Sequence, residues 1–259
     1  MFSSTYQNGE YGVEIFSPSG NDPFKACKLS NEGNIKKLYD RSIKGYMLAL
    51  EKESASTSLQ FPKSVKGSLG ITQPLLVLQL QLHPEKAFSL EMIVVDSDRQ
   101  RRRFHLSTNF KDIDVNSLHV CIPWIQPDRE QWSNVAINLE ELLGQYSAGK
   151  SFGSLESFTI QPVCRIRKIF SLPLKYLGDE MTGLMIPPKH DFTSGVEATS
   201  WVFSFPDALN PQLCADPAPS KTQTSALEKG GKPSDAAMGL GLGIVGKKVS
   251  RREAPTAAS

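Results

Sequence analysis

The strongest pattern along the chain has a period of two. In Leu78-Gln79-Leu80-Gln81-Leu82 the leucines share one face and the glutamines the other, as in a strand that lays one side on a core and turns the other to solvent. Phe88, Leu90, Met92 and Val94 repeat the pattern with Ser89 and Glu91 opposite, and Asp96-Ser97-Asp98 supplies turn chemistry before another run over residues 99–107. Shorter strands are expected over residues 11–16, 45–50, 56–61, 118–122, 134–139, 154–160 and 163–171. They recur with Gly, Pro or Asn between them, a spacing that favours a sandwich over an alternating α/β sheet. One stretch keeps a helical period instead. Asn138 is placed to cap it, Glu141 takes the capping-box position, and Leu139, Leu142, Leu143 and Tyr146 form one apolar stripe. A second helical turn is expected over residues 34–39. The fold class is therefore mainly β, a β-sandwich of jelly-roll type with one or two short helices.

Composition changes this picture near residue 178. Gly, Pro, Ser, Thr and Ala make up about half of residues 179–259, too little apolar surface to offset the entropy of ordering them. The expected organisation is a folded domain over residues 1–178 and a low-complexity, largely disordered tail over 179–259. Within that tail Trp201-Val202-Phe203-Ser204-Phe205 stands apart. It reads either as a short docking strand, for this domain or for a partner, or as a chance apolar cluster.

Charge and motifs exclude more than they suggest. The 259 residues carry 29 basic and 27 acidic side chains, so bulk charge does not announce a nucleic-acid binder. The longest apolar runs are four residues long, far short of a membrane-spanning helix. The opening residues predict no secretory signal, and Phe2 predicts no myristoylation. The scattered Cys27, Cys121, Cys164 and Cys214 are expected to be reduced thiols, with Cys121 and Cys164 packed among apolar neighbours. Gly241, Gly243 and Gly246 match a dinucleotide-binding spacing, yet no strand precedes them and Lys248 stands where a P-loop needs Ser or Thr. His83, His105, His119 and His190 never fall four apart, there is no Cys-x-x-Cys, and the pairs Asp96/Asp98 and Asp112/Asp114 read as turn residues. No catalytic group, metal or cofactor is expected.

The informative charge lies on strands. In Arg101-Arg102-Arg103-Phe104-His105-Leu106, period two sends Phe104 and Leu106 inward and Arg101, Arg103 and His105 outward, with Arg102 emerging at an edge. Cys164, Ile166 and Phe170 likewise point inward and Arg165 and Arg167 outward. If these two strands are neighbours, their arginines and nearby Arg99 form a basic stripe for an acidic partner; otherwise they are ordinary solvated surface. Trp124, after Pro123, is a candidate interface anchor or a core residue, and Trp132 is expected in the core.

Several separated segments, taken together, resemble one family. Met1-Phe2 with Tyr6-Gln7-Asn8-Gly9, Gly33-Asn34-Ile35-Lys36-Lys37, Ser68-Leu69-Gly70-Ile71, Arg101-Arg102-Arg103-Phe104, Trp132-Ser133-Asn134 and Cys164-Arg165-Ile166-Arg167-Lys168-Ile169-Phe170 occur in the order of the cilia- and flagella-associated protein 20 domain family. The resemblance runs to about Leu174. It implies a jelly-roll sandwich and a non-catalytic structural protein of the ciliary or flagellar axoneme, bound to microtubules at or near the inner junction of the doublet. Tubulin and other axonemal proteins would be its partners, with no membrane. The surface implied is Arg99, Arg101, Arg103, Arg165, Arg167 and Trp124, facing tubulin's acidic exterior. Cys27, where the family has a tryptophan, and the long tail depart from the founding member, while Glu14-Ile15-Phe16-Ser17 and Leu106-Ser107-Thr108 resemble the family's larger, tailed paralogue. The alternative is a nuclear or nucleic-acid-associated adaptor using the same surface, with Lys247, Lys248, Arg251 and Arg252 as a localisation signal.

Overall fold

A computed structural model describes residues 12–205, apart from 21, 55, 127, 148 and 179–182. The opening motif, the glycine spacing at 241–246, the basic cluster at 247–252, Cys214 and the tail beyond 205 lie outside the described residues. Among those described, two sheets of seven strands pack face to face.

In chain order the strands are β1 (Val13–Phe16), β2 (Lys28–Ser30), β3 (Ile35–Asp40), β4 (Gly45–Leu50), β5 (Ser58–Phe61), β6 (Leu75–Leu82) and β7 (Ser89–Asp96). They continue with β8 (Arg101–Ser107), β9 (Asp114–Val115), β10 (His119–Pro123), β11 (Ser133–Asn138), β12 (Phe152–Gln161), β13 (Cys164–Leu172) and β14 (Thr199–Val202). Sheet I runs β14-β11-β6-β13-β4-β3, with β1 also pairing with β13. Sheet II runs β2-β5-β12-β7-β8-β10-β9. Most pairs are antiparallel; β8 with β10 and β11 with β14 are parallel.

The alternation read from the sequence builds the main core. Leu78, Leu80 and Ile166 of sheet I meet Leu90, Met92, Phe104 and Leu106 of sheet II, all fully excluded from solvent. At about 1.5–3 kcal/mol per buried aliphatic or aromatic side chain, this layer is the main favourable term in the fold. The one α-helix among the described residues, α1 (Leu139–Tyr146), forms where its pattern places it. The Asn138 side-chain oxygen accepts from the backbone N–H groups of Glu140 and Glu141 at 3.2 and 3.3 Å, and the whole stripe Leu139, Leu142, Leu143 and Tyr146 joins the main core.

Three expectations fail, each for a stated reason. Residues 34–39 do not form a helix. Ile35, Leu38 and Tyr39 sit at helical spacing, but a tight turn over residues 41–44 folds the segment back on β4, and β3 takes its hydrogen bonds there. Phe170 does not point inward. A bulge between Ile166 and Lys168 inserts one residue into β13, so Ile169 takes the core face and Phe170 is thrown to the far side. Gln79 does not reach solvent either; it is completely buried.

Gln79 and the outward-turned Phe170 are both buried for one reason: the chain does not leave the domain at residue 178. A strap crosses the outer face of sheet I. Tyr176, Leu177, Leu184 and Ile186 pack on Leu75, Val77, Phe170 and Leu172. Further on, Phe192, Val196 and Ala198 cover Ile43, Met47, Ala49 and Trp132. β14 then adds to the edge beside β11, and Phe203 and Phe205 turn into the main core against Trp124 and Tyr146. The aromatic patch singled out in the sequence is therefore a docking strand for its own domain.

Candidate interaction surfaces

The two arginine rows do not meet. β8 belongs to sheet II and β13 to sheet I, so outward side chains on the two strands leave opposite faces of the sandwich. The sequence could place each arginine on the outer side of its strand but not say which sheet held the strand.

On sheet II the guanidinium groups are tied to the protein's own carboxylates. Arg101 Nε donates to Glu156 Oε2 at 2.7 Å, and Arg103 donates to Glu91 on the neighbouring strand. Both remain well exposed, at 71% and 51% of the side chain. Exposed pairs of this kind are worth about 0–1 kcal/mol, so neither is firmly held. Arg102 differs. Its Nε donates to buried Asp96 at 2.8 Å and its Nη1 to the carbonyl of Ser117 at 2.7 Å, so its guanidinium is held by the protein itself with little of the side chain exposed. Asp96 also accepts from the N–H groups of Asp98 and Gln100, which builds the turn that carries Arg99 in a left-handed conformation (φ 64°) and leaves it exposed. These donors hold the Asp96 carboxyl below its ordinary range against the opposing pull of burial.

On sheet I the row is broken up. Arg165 stays exposed, donating to Gln81 Oε1 at 3.1 Å, and lines a groove of about 500 Å³ with Glu51 and Glu130. Arg167 is captured by the strap. It donates to Gln79 Oε1 and to the carbonyls of His190 and Asp191, at 3.3 and 3.0 Å for the last two, and its guanidinium lies 4.6 Å from the Phe192 ring centroid. Partial burial lowers its pKa. Gln79 in turn donates to Asn134 Oδ1 at 2.8 Å and to the His190 carbonyl at 2.7 Å. Arg167 is thus a buttress of the fold and not a free cation.

Trp124 is also corrected. Only 5% of it is exposed; it packs on Phe88 and Phe203 with centroids 4.8 and 5.1 Å away, and its indole N–H donates to Gln126. A ring held that way cannot anchor a partner.

Two features were missed in the sequence. The β3–β4 hairpin lies at the end of sheet I with Leu38, Tyr39 and Tyr46 exposed. The two tyrosines meet edge to face at 5.5 Å, Lys37 lies 4.8 Å over the Tyr46 ring, and Lys36 pairs with Glu51 at 2.9 Å. The adjacent lysines and aromatics were a usable signal, obscured by their helical spacing. The second feature is on sheet II, where the parallel pairing of β8 with β10 places His119 opposite Arg103 and Cys121 opposite His105. With Val120 and Ile122 in the core, period two turns Cys121 outward. It is half-exposed beside two histidines, not packed among apolar neighbours.

Two layered sheets, a short capped helix and charge displayed on fixed strands define a β-sandwich domain. The chain belongs to the CFA20-domain family, whose family model matches residues 1–186. The cilia- and flagella-associated protein 20 of Caenorhabditis briggsae is 26% identical over 183 residues, covering 70% of this chain and 87% of that protein. Its Chlamydomonas reinhardtii namesake is 27% identical over 183 residues, covering 70% and 93%. Human WD repeat-containing protein 90 is 23% identical over 161 residues, covering 57% of this chain but 9% of its own. Among solved structures, an exo-beta-agarase aligns over 63% of this chain and 25% of that one at 11% identity and a TM-score of 0.28, too weak a likeness to transfer fold or chemistry. The family match ends before His190, Phe192 and β14, so the later part of the strap extends past the matched region.

Proposed function

We propose that this chain is a non-catalytic structural component of cilia or flagella that docks on the acidic surface of axonemal microtubules. Its relatives' names support the ciliary setting. The observation that carries the choice of surface is the contrast between the sandwich's two outer faces. On the outer face of sheet II Arg101 and Arg103 stay largely exposed, with Arg99 exposed in the adjoining turn, whereas sheet I is crossed by the strap. Weakly paired arginines can exchange Glu91 and Glu156 for a partner's carboxylates at small cost, and attraction of this kind steers association and fades with salt. Arg165, on the opposite side, is the built-in control.

The test is co-sedimentation of the full chain with microtubules over a series of salt concentrations, alongside localisation of a tagged chain in ciliated cells. Binding is expected to weaken with salt and to be lost in Arg101→Glu/Arg103→Glu, while Arg165→Glu binds as the unaltered chain does. Equal loss in both variants, or pelleting that ignores salt, removes sheet II as the docking face. A tagged chain absent from cilia removes the ciliary reading itself.

A further inference from the structure

We propose that the outer face of sheet II holds a divalent transition-metal site, formed by His105, His119 and Cys121 and suited to Zn²⁺. The three side chains come from β8 and β10, joined by parallel pairing that sets Cys121 directly opposite His105. One candidate ligand atom from each lies within 4.8 Å of the other two. Cys121 Sγ and His119 Nε2 stand 3.8 Å apart, long for a hydrogen bond between them. It is close to the spacing of two ligands on one tetrahedral ion, about 3.5 Å for bonds of about 2.0 Å to imidazole and about 2.3 Å to thiolate.

A second observation points the same way. His105 Nε2 is buried and has no hydrogen-bond partner among the described residues. Its ring is held by an edge-to-face contact with Phe110, centroids 4.9 Å apart. A buried imidazole nitrogen without a partner costs free energy unless something accepts or coordinates it. Two imidazoles and one thiol form a borderline-soft donor set that selects zinc over magnesium or calcium. Three protein ligands leave the fourth position to water. Coordination replaces the thiol proton, so each ion bound by Cys–SH gives a Cys–S–metal bond and releases one proton to solvent. Asp114 is the cross-strand partner of Cys121 on β9, and its carboxylate helps offset the ion's charge. The site would staple β8 to β10 across the loop that joins them.

The experiment uses the full chain, reduced and stripped with chelator, titrated with Co²⁺ as a spectroscopic stand-in for Zn²⁺. One cobalt ion per chain is expected, with tetrahedral visible bands and a thiolate-to-cobalt charge-transfer band. Both signals should vanish in His119→Ala and Cys121→Ser and persist in Cys214→Ser. Metal-free thermal midpoints of the variants show that the fold is kept, since both side chains face outward. A measurement without substitutions runs alongside: Zn²⁺ should slow alkylation of Cys121, read by mass spectrometry, by an order of magnitude. Absence of the charge-transfer band, its survival in Cys121→Ser, or unchanged alkylation overturns the site.

Discussion

The two outer faces of this sandwich are made of the same kind of strand and end up in opposite states. Sheet I is closed by its own chain: Val77, Phe170 and Trp132, all on the outer parity, are buried beneath the strap, and Gln79 and Arg167 hydrogen-bond to it. Sheet II keeps Arg101, Arg103, His105, His119 and Cys121 on its outer side, partly or largely accessible. An outward cation therefore has no fixed meaning. Arg167 serves the fold because the chain returns over it, and Arg103 stays largely exposed on the sheet that the strap does not cross.

The contrast predicts a graded series of stability effects. Phe203→Ala should cost the most, about 3–5 kcal/mol in denaturant unfolding, because it empties a fully buried site among Trp124, Trp201 and Phe205. A cost below about 1 kcal/mol would mean that the strap is not part of the cooperative unit. Gln79→Ala follows at about 1–3 kcal/mol, since it removes the donor to Asn134 Oδ1, one of the two donors to the His190 carbonyl and one of the acceptors of Arg167. Arg103→Ala, on the open face, should shift unfolding by less than about 1 kcal/mol.

Acid should loosen the closed face. His190 lies buried with its ring stacked 4.4 Å from Phe170, and burial pushes its pKa down from 6.5 to about 4, with Lys168 adding to the shift. Glu14 pulls the other way. The folded state therefore holds the neutral ring while the unfolded chain takes up a proton. Its contribution is complete above about pH 6.5 and declines as the pH falls toward 4. Chemical denaturation across that window should show stability dropping with acid, and His190→Gln should flatten the slope. An unaltered slope would assign the acid sensitivity to other groups.

Much of the fold was legible because a half-buried strand writes its orientation into alternate positions. β4 and α1 fall where the pattern puts them, and Leu78, Leu80, Met92 and Phe104 all reach the core. What escaped was anything decided by a neighbour distant in sequence. The bulge at Arg167 reverses the parity of β13 without any local mark, and β3 depends on pairing with β4. One clue to the strap was present. Leu75-Leu76-Val77-Leu78 is apolar at every position, which an antiparallel strand needs only when both its faces are covered. The candidate site was less legible still. The sequence identified which arginines point out, but their separation on two sheets, their carboxylate partners and the His105–His119–Cys121 cluster arise from strand order, which spacing does not encode.

The hairpin edge has a consequence for assembly. Among the described residues β3 ends sheet I, pairing only with β4, and an edge of that kind is the usual invitation for a second copy to add on and start an open polymer. Lys36 and Lys37 lie side by side on it, so period two sends their charges to opposite faces and a like-charged twin meets repulsion on both. The rim is thereby biased against self-stacking.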